Sequence, residues 1–213
     1  MIKAIIFDFG RVISAQKPLS LFRRYESDLG LEPDTINSVM FDSKAWQEAL
    51  VGGKTAEEFW EEIGPQLNLN TPNEIVAFRR RYQADEEINQ PVLHLIQRLK
   101  GRYKLAVLSN SPPGLSQWLA EWNMLDLFDT VLCSGDEGVV KPDPAPFEIT
   151  LKRLGVEPNE TVFIDDTLEH VEASRRMGIQ GILFTTAEAL EEELARLLEK
   201  DFSLQLSDVR CEI

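Results

Sequence analysis

The chain has 213 residues, 43% hydrophobic and 27% charged, which is the balance of a globular protein able to bury roughly 70% of its unfolded surface. That composition excludes whole-chain disorder, and no apolar run approaches the ~20 residues that a membrane span requires. Thirty-six acidic against 22 basic residues leave a net charge of −14. Such a surface repels nucleic acid and anionic lipid, whose phosphates are held by Lys and Arg. A small phosphorylated ligand is still compatible, because a local cation overrides a screened global field. Cys133 and Cys211, with His94 and His170, form neither a disulfide framework nor a paired zinc spacing. A reducing, cytoplasmic setting is expected.

In chain order, the apolar run Ile2–Phe9 reads as a buried strand, broken at Asp8 and so too short for a signal-peptide core. No convincing strand follows for some distance. Segments 19–29, 33–40, 45–51, 55–63 and 73–82 instead read as helices, with Thr55 and Glu58 at capping-box spacing before Phe59 and Trp60. From Pro91 onward strands and helices alternate. Helix 91–100 carries Val92, Leu95, Ile96 and Leu99 on one face; strand 104–110 follows, then strand 130–133, helix 147–154, strand 161–165, helix 168–177 and strand 181–185. Gly101, Gly155 and Gly178 stand where left-handed helix caps are needed. The pattern predicts an α/β fold, a doubly wound parallel sheet with a helical cap inserted after strand one. The expected division is 1–14 plus 91–198 for the core, 15–90 for the cap, and 199–213 as a C-terminal tail without a clear pattern, frayed or docked.

Ligands of open parallel sheets bind at the carboxyl ends of the strands. Those ends here carry Asp8, Ser109 and the pair Asp165 and Asp166, with Lys141 in the turn after the third strand. Singly, each has an ordinary reading: an Asp caps a helix, a Ser makes a turn, a Lys is solvated. Together they suit a phosphate site. A hard cation such as Mg2+ takes one or two carboxylates, which Asp8 and Asp166 supply. Lys141 and Ser109 would neutralise and hydrogen-bond the phosphate, and a carboxylate can attack phosphorus to form an acyl phosphate.

Four motifs in order, FDFGRV at 7–12, LSN at 108–110, VKPDP at 140–144 and FIDD at 163–166, resemble those of the haloacid dehalogenase-like hydrolase superfamily, in the branch with a helical cap after the first motif. The resemblance covers about residues 1–195. It implies a Rossmann-like core and Mg2+-dependent hydrolysis of a small phosphorylated metabolite through an aspartyl phosphate. Asp8 would be nucleophile and metal ligand, and Ser109 would hydrogen-bond the phosphoryl oxygens. Asn110 would shape that pocket, and Lys141 would pair with both nucleophile and phosphate. Asp166, supported by Asp165, and the backbone carbonyl of Gly10 would complete the metal site. The protein is expected as a monomer or homodimer.

Two positions depart from the family pattern. Phosphatases of the family commonly carry a second Asp, the general acid, where this chain has Gly10. That acid contributes about 10²–10⁴-fold. A good leaving group, as in an anomeric sugar phosphate, would need it less; water or a cap residue would replace it; or phosphatase activity would be lost. The first two are favoured, since a DxG first motif also occurs in the branch holding sugar-1-phosphate phosphatases. His170 stands where the branch usually has Asn, and is expected to cap or pack its helix, with a hydrogen bond to Asp165 or Asp166 as the alternative.

Other features have plain readings. Gly52-Gly53-Lys54-Thr55 has the look of a phosphate loop but lacks its first glycine and preceding strand, so it is read as a cap turn. Arg79–Arg81 is read as a solvated face, and Trp60, Trp118 and Trp122 as packing. Phe41 and Trp46 are core by spacing, with Trp46 the candidate to touch substrate. Arg11 touches phosphate or pairs with a surface acid. Asp143 starts a helix. The rivals to a phosphatase are a dehalogenase using the same Asp8 without metal, against which Asp165 and Asp166 argue, and a catalytically silent binding protein.

Overall fold

A computed structural model describes the backbone of residues 1–208 and the side chains of residues 1–198. Five strands, β1 (Ala4–Phe7), β2 (Lys104–Ser109), β3 (Thr130–Cys133), β4 (Thr161–Asp165) and β5 (Gln180–Leu183), form one sheet in the order β3-β2-β1-β4-β5. Every pairing is parallel, with Phe7 level with Val107 on one side and Ile164 on the other. Alternate residues serve opposite faces, as a pleat demands. Ile5 and Phe7 join Leu105, Val107, Val162 and Ile164 in one buried cluster, while Ala4 and Ile6 join Ala106, Leu108 and Phe163 in the other. The α/β, doubly wound expectation is met.

Eleven α-helices are present among the described residues. The inserted ones are α1 (Leu19–Leu29), α2 (Thr35–Phe41), α3 (Lys44–Leu50), α4 (Ala56–Ile63) and α5 (Pro72–Ala84). They bury a cluster of their own around Tyr25, Ile36, Phe59, Ile63 and Phe78. Local chemistry starts these helices. Thr55 and Glu58 exchange the two hydrogen bonds of a capping box, and Thr71 and Glu74 form a second one ahead of Pro72. Gly30, at φ 63°, caps the end of α1. The Gly52–Thr55 segment is the turn between α3 and α4, and Lys54 there pairs with Glu48 and Glu62.

The insertion joins the core through two adjacent connections: Ser14 bridges Ile88, Ala15 N–H donates to the Glu87 carbonyl at 2.7 Å, and Asn89 N–H donates to the Ile13 carbonyl at 2.9 Å. It touches the core again where Gly52 meets Gly135; a Cβ on Gly52 would lie 2.6 Å from the Gly135 carbonyl oxygen.

The core helices are α6 (Gln90–Leu99), α7 (Leu115–Glu121), α8 (Ser134–Glu137), α9 (Pro144–Leu154), α10 (Leu168–Arg176) and α11 (Ala187–Asp208). Asp143 stands immediately before α9, as expected. The sequence pattern did not single out α7 and α8, which are seven and four residues long and too short to show a full period. The segment expected to lack a pattern from Glu199 is corrected: α11 continues through it to Asp208. This helix is anchored by buried Leu190 and Leu194, and extending a helix costs far less than starting one. The rest of that tail, 209–213, lies outside the described residues. No helix among the described residues is long and apolar enough to cross a membrane.

Candidate active site

β2, β1 and β4 are neighbours in the sheet, and their registers place Asp8 level with Asp165, with Ser109 one residue further along β2. The chain leaves β1 through a tight turn over Phe9–Ile13, which aims Asp8 across the sheet end. The turn bends at Arg11, held at φ 58° and ψ 3°, a left-handed conformation that disfavours side chains. Gly10, by contrast, has φ −65° and ψ 129°, which any residue adopts.

Lys141 is the hub. It is 3% exposed, and its Nζ donates to Asp8 Oδ1 at 2.7 Å, to Asp165 Oδ2 at 2.6 Å and to the Leu108 carbonyl at 2.9 Å. Its backbone is fixed by Asn110, whose Oδ1 accepts from Lys141 N–H and whose Nδ2 donates to the Lys141 carbonyl, both at 2.8 Å. Asn110 thus positions the lysine besides lining the cleft. The charges set one another. Burial pushes the Asp8 carboxyl up to about 6, against the pull of Lys141 and with help from the charges of Asp165 and Asp166. Burial opposes ionisation of Asp165 too, but hydrogen bonding from His170 and the charge of Lys141 outweigh it and hold this carboxyl below its ordinary value. Burial lowers and the two carboxylates raise Lys141, and the carboxylates win.

Asp8, Asp165 and Asp166 each offer an oxygen such that the three lie within 4.8 Å of one another. This all-oxygen donor set fits a hard divalent cation. Asp165 is fully buried and already engaged, accepting from Thr167 N–H at 2.8 Å and from His170 Nδ1 at 3.0 Å. Asp166 is the member of the pair that lines the cleft. His170 therefore does more than pack its helix: the packing expectation is corrected, because one turn of α10 places the imidazole over the Asp165 carboxylate. Arg11 takes the acid-pairing option, with Nε 3.0 Å from Asp166 Oδ2.

The cleft above these groups has a volume of about 710 Å3 and reaches from Asp8, Ser109 and Lys141 to the inserted helices. Trp46 lines it while packing edge-on against Phe41, ring centres 5.3 Å apart. Trp60 and Trp118, assigned to packing from the sequence, line it as well, whereas Trp122 stacks on Phe9. Nothing in local spacing separates a half-buried core aromatic from a cleft wall, because the difference lies in where the insertion sits. Arg79 lines the cleft but is paired with Glu57 at 2.7 Å, and Arg81 pairs with Asp28 at 2.7 Å.

Known proteins resemble this chain in sequence and in fold. A family profile described as haloacid dehalogenase-like hydrolase matches residues 2–178. A sesquiterpene phosphatase from Aspergillus oryzae is 29% identical over 92% of this chain and 96% of its own length. A phosphoglycolate phosphatase from Aquifex aeolicus is 29% identical over 85% of this chain and 84% of its own. The solved structure of a predicted hydrolase of this fold from Porphyromonas gingivalis superposes with a TM-score of 0.73 at 26% identity, covering 93% of this chain and 98% of that one.

Proposed function

Since the chain belongs to the haloacid dehalogenase-like hydrolases, and is thereby an enzyme of hydrolysis, we propose that it is a Mg2+-dependent phosphatase of small phosphomonoesters working through an aspartyl phosphate on Asp8. One observation carries the reading: Lys141 bridges Asp8 and Asp165 at 2.7 and 2.6 Å, with Asp166 completing a three-carboxylate cluster at the cleft floor. A dehalogenase attacking carbon needs Asp8 but no metal-holding pair, so the presence of Asp165 and Asp166 favours phosphorus over carbon, and a buried nucleophile paired to Lys141 favours a working site over a silent one.

Asp8, Asp166 and the Gly10 carbonyl would hold the ion, with Asp165 oriented behind them. When bound, Mg2+ neutralises phosphate charge and aligns the phosphorus. This chain's own residues do the rest. Asp8 attacks phosphorus in line as the P–O ester bond breaks, and the leaving oxygen takes a proton from water to depart as the alcohol. Lys141 holds the nucleophile and balances charge on the phosphoryl oxygens, and the Ser109 hydroxyl donates to one of them. Water then cleaves the acyl phosphate, releasing phosphate and restoring Asp8. The inserted helices close the cleft against bulk solvent. With Gly10 supplying no acid, the proton for the leaving oxygen comes from water in the cleft, and esters with better leaving groups react faster. The named relatives act on unlike phosphates, a sesquiterpene and a glycolate, so the shared property is the phosphoryl chemistry.

The test is a panel of phosphate esters with Mg2+, run beside Asp8→Asn. Phosphate release that depends on Mg2+ and falls at least about 10³-fold in the variant is expected. Equal release by the variant would defeat the proposal.

A further inference from the structure

The cleft has two chemically different halves. Its floor is the charged cluster just described. Its roof comes from the inserted helices, each of which presents an aromatic to it: Phe22 from α1, Phe41 from α2, Trp46 from α3, Trp60 from α4 and Tyr82 from α5, with Trp118 facing from α7. The basic groups on that roof are already neutralised within it. Lys17 pairs with Glu86 and stands over the Tyr82 ring, and Arg79 pairs with Glu57. Gln16, Asn37, Asp42 and Gln83 are the polar inserted side chains that remain along the cleft. A polyol carries a hydroxyl on almost every carbon, and each one that is desolvated without a partner weakens binding. Leu19, also lining the cleft, is 58% exposed, an apolar surface that a hydrocarbon ligand would cover.

From these walls we infer that the alcohol half of the substrate is hydrocarbon-rich, a phosphate ester with an apolar tail or ring system rather than a sugar. The phosphate rests on the floor and the apolar part lies against the aromatic roof. The volume of about 710 Å3 is within the range that encloses a whole small organic molecule. This inference rests on the phosphatase reading.

A series of n-alkyl phosphates from ethyl to decyl, used below micelle-forming concentration, tests it with the leaving-group chemistry held constant. Each methylene moved from water onto an apolar wall is worth about three- to fourfold in binding. kcat/KM is therefore expected to climb by about that factor per carbon and then level off once the roof is filled. Trp46→Ala and Leu19→Glu are expected to flatten the climb. Leu19→Glu guards against a folding artefact, because the residue is exposed and an acid is welcome in the first turn of a helix. Glycerol phosphate and ribitol 5-phosphate serve as polyol comparators, and acetyl phosphate, an acyl phosphate that needs no general acid, reports the basic phosphatase chemistry. A flat alkyl series, or a preference for the polyols, with acetyl phosphate still hydrolysed, overturns the inference and leaves the phosphatase reading standing. Failure to hydrolyse acetyl phosphate with Mg2+ overturns both.

Discussion

Replacing Lys141 with Met keeps most of the side-chain volume and removes the charge. The lysine is 3% exposed and donates to two buried carboxylates and the Leu108 carbonyl, so the variant leaves Asp8 facing Asp165 with no cation between them, Asp165 keeping only its bonds from His170 and Thr167 N–H. Breaking a buried pair by deleting one partner costs about 3–5 kcal/mol, and at about 2–4 °C per kcal/mol for a chain of this size the loss is about 6–20 °C in Tm. The sign of the pH effect follows from Asp8. Its carboxyl is already raised to about 6 with the lysine present; without it, protonation occurs at still higher pH and removes one of the two repelling charges. The deficit is therefore largest near pH 8 and shrinks toward pH 5.5. Thermal unfolding of the metal-free wild type and variant at both values measures it. A loss under about 3 °C at pH 8, or equal losses at the two pH values, would refute the assignment of Lys141 as the charge balancing the site.

Proton and cation compete for Asp8: the raised carboxyl, at about 6, is neutral below that value, so Mg2+ affinity is expected to fall toward tenfold per pH unit below it. Calorimetry at pH 5.5 in buffers of different ionisation enthalpy should read a proton released on binding. At Gly135 a Cβ would meet the Pro113 ring at 2.6 Å and the Ala49 carbonyl oxygen at 2.8 Å, so Gly135→Ala props the insertion away from the core. Its expected signature is a kcat/KM lowered about tenfold with Tm changed by only a few degrees, since misplacement by about 1 Å is costly for catalysis. Gly10 has an unstrained backbone, and a Cβ there would find only Asp8 Oδ2, at 3.9 Å, nearby. Gly10→Asp should fold normally and raise kcat on alkyl phosphates at least about tenfold by supplying a proton donor; steady-state rates against ethyl phosphate check it.

The floor of the site was legible in the sequence because a parallel sheet turns sequence position into spatial position. Once β1, β2 and β4 are recognised as buried strands, Asp8, Ser109 and Asp165 must lie at one rim. Lys141 was legible by its place after β3, although its dependence on Asn110 was not, since a pair of hydrogen bonds to a residue 31 positions away leaves no local pattern. The helical insertion announced itself through a long stretch with helical spacing and no strand, and through the capping box at Thr55 and Glu58; the second box, at Thr71 and Glu74, emerged only in the structure. Its inner surface did not: Phe41, Trp46 and Trp60 carry the same spacing whether they face the insertion's own core or the cleft, and in fact serve both. His170 was read as packing because a lone histidine near a helix start usually is. The α10 geometry that sets it on Asp165 appears only once the turn before it is built.

The first motif shows how residue choice and backbone demand have come apart. Gly10 occupies a conformation open to any residue, while Arg11 occupies one, at φ 58°, that favours glycine. Holding a side chain there costs about 1 kcal/mol or more. The compensation visible in the structure is the Asp166 contact at 3.0 Å, from a side chain that is 58% exposed, and ion pairs that open to water contribute about 0–1 kcal/mol. The two contributions nearly cancel or leave a small deficit, so fold stability does not account for an arginine at this position. What the strain secures is location: a guanidinium anchored to a candidate metal ligand, at the edge of a cleft whose floor is rich in carboxylate.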